Sequence, residues 1–437
     1  MNIKHCFIAF ACDGASVMLG KNSGVATRLK TIFPNLVVWH CSNHRLELAV
    51  NDVVDEVYGI NHFKIFMDKL YTLYHQSPKN QNELREAANS LDCEILKIGQ
   101  ILSVRWVASS RRTVNAVLKN YPALCEHFNR ASTDMSRDAR ERSKYDGLKK
   151  MITSVEFVAN LNAMSDALDE LGDLSEFLQR RNITLIDADK AVRTTIRVLD
   201  SMANEPGPKL SDVQNALNVK EFKGVPLHDG KVKIINTAQF FRSLANNLRN
   251  RMMTSSSSHV SSNAGNNNSI KQYNLLLKNL EVLNPKNWPK SDDDEVDITY
   301  GDKEVRQLCD QFILEEQVQD IIRGFRAFKM NRREGDIPED FKPLLKAVAT
   351  IPISTSECER NFSSMNEIVT PTRTSFISKT VAGLVFINCV GPPLSKFNPQ
   401  SYVRSWLTKG HHSADDAASR RRIIKEDNTY KSLWKLL

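Results

Sequence analysis

The beginning of the chain alternates between apolar runs and one amphipathic stretch. Residues 6–12 form an unbroken apolar run that ends at Asp13, which is typical of a buried strand. Residues 22–33 carry apolar side chains at helical spacing, and Ser23 is a suitable N-cap for a helix. A second apolar run follows at residues 36–39. Strand, helix and strand in this order predict a parallel β-α-β unit with a right-handed crossover.

From His44 onward the apolar spacing is helical. Apolar residues recur three and four positions apart, which predicts helices that each bury one face. The pattern is broken at residues 205–208, where two prolines flank a glycine. The predicted helical segments include 148–171 (a single long helix), 232–250, 303–330 and a segment that starts at Lys342. We therefore expect a protein that is mostly helical overall.

Three segments have compositions that do not favour a packed core. Residues 254–269 are rich in Ser and Asn and should form a disordered loop, because they offer too little apolar surface to bury. The acidic run at residues 292–295 marks an exposed segment. Residues 411–437 are expected to form a charged tail.

Length and composition limit the class of protein. A chain of 437 residues exceeds one ordinary core, which predicts two or more domains. The hydrophobic share of 41% and the charged share of 25% are those of a globular protein, and no apolar run approaches a membrane span. The eight cysteines lack disulfide-framework spacing and are expected to be mostly buried thiols. A net charge of +8 is compatible with a polyanionic partner but does not establish one.

Asp13 is the first candidate for metal chemistry. It lies where the first predicted strand meets a loop, at the edge of a sheet where carboxylates can hold Mg²⁺. The alternative interpretation is a turn aspartate that caps the loop before Gly14.

Cys41 and His44 follow the second predicted strand with the spacing Cys-x-x-His. A structural zinc site requires four ligands, and no second Cys/His pair of matching spacing is present. We therefore favour a packed thiol at Cys41, with His44 at the start of the next helix, over a zinc site.

Arg105 and Trp106, followed by Arg111 and Arg112, are candidates for contact with nucleic acid. An indole can stack on unpaired bases, and arginines bind phosphate. The alternative is a core tryptophan beside a solvated basic turn.

Glu359 lies near the start of a predicted helix, within Ser356-Glu357-Cys358-Glu359-Arg360-Asn361-Phe362-Ser363. The spacing of Ser356 and Glu359 is that of a capping box, so the carboxylate could serve only the helix N-terminus. The other interpretation makes Glu359 a metal ligand.

The C-terminal part of the chain is unusually apolar for a terminal segment. Its apolar residues include Leu384, Val385, Phe386 and Trp406. These side chains exceed what a short segment can bury by itself, which favours self-association. In the alternative, the segment packs back onto the helical domain and the protein stays monomeric.

Taken in order, these motifs resemble the hAT superfamily of DNA transposases and the host proteins derived from them. The resemblance spans about residues 8–128 and 340–410. The matching sequences are Asp-Gly-Ala-Ser from Asp13, Trp-His-Cys-x-x-His-Arg-Leu-Glu-Leu from Trp39 and Arg-Trp-Val-Ala-Ser from Arg105. The segment Cys-Glu-Arg-Asn-Phe-Ser from Cys358 corresponds to the family signature Ser-Glu-Arg-x-Phe-Ser. The sequences of these motifs are closer to those of domesticated vertebrate hAT-derived proteins than to those of active transposable elements.

The resemblance implies an α/β fold, a ribonuclease-H-like core interrupted by a large all-α insertion domain. Residues 1–130 would form the N-terminal part of the core, residues 131–340 the insertion, and residues 341–410 the rest of the core with the hAT dimerisation region. The first core strands are expected to be missing. Asp13 and Glu359 would lie close together at one sheet edge, as metal ligands, and the region containing Leu384, Phe386 and Trp406 would form a dimer.

The same resemblance implies a third carboxylate upstream of Asp13, but no Asp or Glu precedes Asp13 in this sequence. We therefore expect a domesticated nuclear protein, catalytically inactive, N-terminally truncated and without a cofactor, which acts as a homodimer and associates with DNA or chromatin. One alternative is an active transposase that uses Mg²⁺ for nucleotidyl transfer. Another is a ligase-like role with SUMO pathway proteins, an activity described for one relative that we do not expect this chain to share.

Overall fold

The computed structural model describes residues 7–57, 59–102, 105–253, 266–289, 297–330, 337–373 and 375–408. Within these ranges the protein is mostly helical, which confirms that prediction. The strands that the structure describes are short and form two separate pairs.

The β-α-β unit at the start of the chain has the predicted order. Strand β1 (Ala9–Cys12) and strand β2 (Val37–His40) are parallel, with Ala9 opposite Val37 and Cys12 opposite His40. Between them lie a short helix α1 (Ser16–Leu19), which we did not predict, and helix α2 (Val25–Ile32). Gly24, and not Ser23, occupies the N-cap of α2. In the described residues this sheet has two strands, so a complete ribonuclease-H-like core stays a prediction.

A series of helices follows β2. They are α3 (Ser42–Glu56), α4 (Ile60–His75), α5 (Pro78–Ser90), α6 (Trp106–Thr133), α7 (Ala139–Ile152), α8 (Val155–Leu178) and α9 (Leu185–Met202). The single long helix expected over 148–171 is wrong. The chain breaks after Ile152, and the Ser154 side chain accepts a hydrogen bond from Phe157 N and so caps α8.

The predicted insertion is not entirely helical. After α10 (Pro208–Val219), strands β3 (Glu221–Phe222) and β4 (Val225–Pro226) form a small hairpin. Its turn places Lys223 and Gly224 at φ 51° and φ 75°, the left-handed region required by a tight hairpin turn. The helix expected over 232–250 begins later, as α11 (Thr237–Met252).

Part of the segment expected to be disordered is helical. Helix α12 (Asn266–Glu281) begins inside the predicted loop 254–269, whose earlier part lies outside the described residues. The acidic run 292–295 and the charged tail 411–437 also lie outside them. The remaining helices are α13 (Asp302–Gln311), α14 (Val318–Met330), α15 (Lys342–Ala349), α16 (Ser356–Ile368), α17 (Ser378–Val390) and α18 (Gln400–Thr408).

One continuous hydrophobic core joins the β-α-β unit to the helices. It includes Trp39 of β2, Leu46 of α3, Phe157 of α8, Phe241 of α11 and Phe325 of α14. The core therefore contains residues from both the predicted N-terminal part and the predicted insertion. Helix α6 also runs through position 130 without a break. The proposed domain boundaries stay predictions.

A polar network is buried between α4, α5 and α6. The Tyr74 hydroxyl forms a hydrogen bond of 2.8 Å with His127 Nδ1, and His127 Nε2 lies 3.0 Å from Glu83 Oε2. Arg137, whose side chain is 3% exposed, donates to the same Glu83 carboxylate. Burial lowers the pKa of His127. Glu83 therefore balances a buried guanidinium and orients a buried imidazole.

Replacing Glu83 by Gln should lower the free energy of unfolding by about 2–3 kcal/mol, because Arg137 loses its most buried charge partner. Urea denaturation followed by circular dichroism measures this change. Glu86→Gln, on the exposed face of the same helix, is the matched control and should leave stability unchanged. Equal stability of the two variants would contradict the assigned role of Glu83.

Candidate functional site

The motifs that carry the family resemblance meet at one end of the β1–β2 sheet. Asp13 follows β1 and Cys41 follows β2, so both lie at the carboxyl edge of parallel strands. Cys41 N donates a hydrogen bond to Cys12 O at 2.8 Å, which continues the pairing by one residue. Helix α3 starts immediately after Cys41.

The buried thiol of Cys41 holds the start of α16. Its Sγ accepts hydrogen bonds from Thr355 N at 3.3 Å and from Thr355 Oγ1 at 3.4 Å. Ser42 N donates to Ile353 O at 3.0 Å and ties the same two segments together. The favoured prediction of a packed thiol describes this environment. A residue from the beginning of the chain thus positions the helix that carries Glu359.

His40 and His44 lie beside this contact, with ring centroids 5.4 Å apart. Burial, with Arg45 and His44 as smaller contributors, lowers the pKa of His40 to about 4. The loop after β1 passes close to His40. A Cβ added to Gly14 would lie only 2.8 Å from His40 Nε2. Gly14 is therefore required for the close approach, and the imidazole stays neutral near pH 7.

Asp13 has the geometry of a turn aspartate, which was the alternative to a metal ligand. Its Oδ1 accepts a hydrogen bond from Ala15 N at 3.2 Å, and the residue is exposed. Its role as a metal ligand stays a prediction, as does its close distance to Glu359.

Glu359 does not form the capping box that its spacing suggested. Thr355 is the N-cap of α16 and makes no side-chain cap, and the Ser356 hydroxyl contacts Ser354 instead. Glu359 Oε2 accepts a hydrogen bond from Arg105 Nη2 at 2.5 Å. The pair is solvent-exposed, at 63% for Arg105 and 55% for Glu359, and it links α16 to the start of α6.

Glu47, to which sequence reasoning assigned no role, caps α6 from outside. Helix α6 follows Arg105, which provides no side-chain cap, and Val107 N donates instead to Glu47 Oε2 at 3.2 Å. Burial raises the pKa of Glu47 to about 7, although hydrogen bonds from Val107 and Trp106 N–H and the charge of Arg105 oppose the change. The signal was present in the sequence, since Glu47 lies within the His44–Leu48 motif.

The other three candidates for DNA contact, Trp106, Arg111 and Arg112, lie in different environments. Trp106 is 3% exposed in the hydrophobic core, so in this conformation its ring is not accessible to a base. Arg111 is paired with three carboxylates of α8. These are Asp169 at 3.1 Å, Asp173 at 2.7 Å and Glu176 at 3.2 Å. Arg112 is exposed and donates to Ala108 O at 3.3 Å. The DNA-binding assignments stay predictions.

A second ion pair holds α16 on its other side. Glu357 accepts hydrogen bonds from Arg360 at 2.7 Å and from Arg181, which follows α8. These two guanidinium groups lower the pKa of Glu357 to about 2. Arg105 and Arg181 therefore fix the first turn of α16 between α6 and the end of α8.

In this arrangement two of the candidate metal-binding side chains, Glu359 and Cys41, contact other protein groups. No group of three or more His, Cys, Asp or Glu side chains suited to a metal occurs within the described ranges. Of the two carboxylates that the resemblance assigns to the metal, Glu359 is bonded to a guanidinium. The Cys41 thiol accepts a hydrogen bond from Thr355 Oγ1 at 3.4 Å.

Helices α16 to α18 present the second candidate site. Apolar residues lie on all sides of α17, and the helix has no buried residue. Phe386 is 65% exposed, and Leu384, Ile387 and Val390 are also exposed. Val385 is half-buried, and Trp406 of α18 is 58% exposed. Helix α17 packs on α16, where Cys389 Sγ donates to Asn361 Oδ1 at 2.7 Å.

Residues 332–389 match the hAT family C-terminal dimerisation region. The match supports membership of the hAT family and includes Glu359, α16 and α17 up to Cys389. It ends before α18, so Trp406 lies outside it. Among the helices described, none is long and apolar enough to cross a membrane.

Glu47→Gln should change the pH dependence of stability in one direction. Because the folded protein raises the pKa of Glu47 from 4.5 to about 7, it retains a proton that the unfolded chain loses within this window. The wild type should therefore lose stability relative to Glu47→Gln as pH rises from 4.5 to 7, by about 3 kcal/mol at most.

Chemical denaturation at several pH values measures this difference. The exposed Glu86→Gln serves as the control and should follow the wild-type profile. A constant difference between Glu47→Gln and wild type across the window would show that Glu47 ionises normally.

Proposed function

We propose that this chain is a hAT transposase-derived protein that acts as a homodimer through its C-terminal helices. Helix α17 would lie at the centre of the interface, with Trp406 of α18 at its margin. The proposal draws on the match of residues 332–389 to the hAT dimerisation region. The interpretation in which this segment folds back and leaves a monomer is not favoured, because α17 has no buried residue in the part of the chain that the structure describes.

The exposure of α17 is the observation that carries this proposal. A helix that is apolar on all sides is normally buried, since water makes such a surface costly. Exposed Phe386, Ile387 and Val390 lie on one helix turn, and Phe362 of the packed neighbour α16 adds to the same region at 60% exposure. A second copy of the helix pair supplies a matching apolar surface, as a two-fold interface requires.

We further propose that the protein is catalytically inactive. The carboxylate assigned to the metal, Glu359, forms an ion pair with Arg105, and a guanidinium there competes with a cation. The edge of the sheet then serves as a scaffold that positions α16 and α17.

The proposal includes association with DNA or chromatin in the nucleus. Its supports are the resemblance, the net charge of +8 and the exposed guanidinium of Arg112. Since Arg105 and Arg111 form ion pairs within the chain, this part depends mainly on Arg112 and on the rest of the basic surface.

The wild-type protein should sediment as a dimer at micromolar concentration, and Phe386→Asp and Trp406→Ala should each shift it toward monomer. Removal of one interface anchor commonly costs ~2 kcal/mol or more, a change of about 30-fold in the dimer dissociation constant. Helical circular dichroism should stay unchanged, because both side chains are exposed in the single chain.

Met135→Asp is the matched control for the apolar-to-charged change, since Met135 is 82% exposed at a distance in sequence from the C-terminal helices. It should remain dimeric. A wild type that is monomeric at micromolar concentration would rule out the proposed dimer.

The purified chain should neither nick nor join DNA in Mg²⁺ or Mn²⁺. A plasmid-nicking assay tests this, with Glu359→Gln and Arg105→Ala run beside wild type. Metal-dependent nicking by wild type that Glu359→Gln abolishes would show an active site. Nicking that appears only in Arg105→Ala would show that the ion pair alone suppresses activity.

A further inference from the structure

A cavity of about 840 Å³ lies away from both sites described above. Helix α4 contributes Phe63 and Phe66, helix α8 contributes Phe157, and helix α7 contributes Gly147. The segment between β4 and α11, residues 228–233, forms the remaining wall. This size lies within the range of pockets that bind a small ligand or the anchor of a peptide.

The floor of the cavity is aromatic. The rings of Phe66 and Phe157 meet edge to face at 4.8 Å between centroids, and Phe63 stacks on Phe157 at 6.0 Å. All three residues are nearly buried, so each ring is largely covered by the others and by the core. The floor therefore suits an inserted apolar side chain, but it offers no open ring face on which a base could stack.

The margin of the cavity is positively charged. Four lysines line it from three segments: Lys69 on α4, Lys150 on α7, and Lys231 and Lys233 on the loop. The carboxylate that lines it, Asp229, is paired with Lys220 at 2.5 Å, and Lys150 pairs with Asp146 at 2.6 Å. An anionic ligand would therefore meet an excess of cations around an apolar floor.

The loop wall is held in place by polar contacts that are partly or fully buried. The Glu156 carboxylate accepts hydrogen bonds from Gly230 N at 3.0 and 2.9 Å. Asn160 donates to Lys233 O at 2.8 Å and accepts from Ile235 N at 2.9 Å. The cavity is consequently formed before any ligand arrives, which lowers the ordering cost of binding.

We propose that this cavity binds an acidic peptide segment of a partner protein. One large apolar side chain of the peptide enters above Phe66 and Phe157, and carboxylates on either side of it pair with Lys69 and Lys231. An apolar floor with a cationic margin recognises both features together, whereas neither a neutral apolar peptide nor a polyanion without an anchor satisfies both.

Fluorescence anisotropy with the full chain tests this. The probe is a rhodamine-labelled peptide in which a single phenylalanine lies between two runs of glutamate. Replacing the phenylalanine by serine, or the glutamates by glutamine, should each weaken binding by about tenfold or more.

Two pairs of variants locate the binding. Lys69→Glu combined with Lys231→Glu should weaken the peptide complex by about tenfold or more, whereas Lys190→Glu, an exposed lysine on α9, should change it by less than about twofold. Gly147→Phe should abolish binding by filling the cavity, and Gly147→Ala should preserve it. Both variants at this position should fold, since a Cβ there meets nothing within 4 Å and glycine is unfavourable inside a helix.

Three results would overturn the proposal. The first is that wild type does not bind the peptide at roughly millimolar concentration. The second is that Gly147→Phe leaves peptide binding intact. The third is that the cavity binds a single-stranded oligonucleotide and not the peptide, and that the same variants abolish oligonucleotide binding. The last result would assign the cavity to nucleic acid.

Discussion

The contact between the Cys41 thiol and Thr355, beside the hydrogen bond from Ser42 N to Ile353 O, positions the start of α16 at the edge of the β1–β2 sheet. It brings the carboxyl edge of β2 against the N-cap of α16, across most of the chain. Once α16 starts there, Glu359 comes within reach of Arg105, and Glu357 within reach of Arg181. The direction of α16 in turn fixes α17, which packs on it and carries the exposed apolar residues.

The same edge holds the start of α6. Glu47 accepts the hydrogen bond of Val107 N, and Arg105 precedes the first turn of the helix. Three motifs that are distant in sequence therefore stabilise one another through a thiol, a partly buried carboxylate and an exposed ion pair. In this arrangement the motifs support the start of α16, on which α17 packs.

Local sequence patterns predicted the strands and helices that depend mainly on local interactions. The β-α-β unit and the helical nature of the chain followed from apolar runs and helical spacing, as in residues 6–12 and 36–39. The break between α7 and α8 was missed because the apolar spacing continues across it, although the Thr153-Ser154 pair is a cap signal. The β3–β4 hairpin was missed because strands of two residues carry no periodicity.

The candidate site was harder to predict because its partners come from distant segments. The spacing of Ser356 and Glu359 indicated a capping box. The fold instead brings Arg105 close enough to form an ion pair with the Glu359 carboxylate. Arg111 looked like part of a basic patch, and only the fold shows that α8 places three carboxylates around it. Spacing within one segment contains no information about such partners.

Disulfide formation at the Cys41–Thr355 contact tests the central claim most directly. In a Thr355→Cys chain that also carries Cys358→Ser and Cys389→Ser, mild oxidation should link position 355 to Cys41, because the two side chains are 3.4 Å apart at Sγ and Oγ1. Mass spectrometry of the digested protein should detect this linked peptide pair, and the dimer should persist. If both thiols instead remain free and equally reactive toward alkylation, α16 does not begin at this edge of the sheet, and the arrangement described above is wrong.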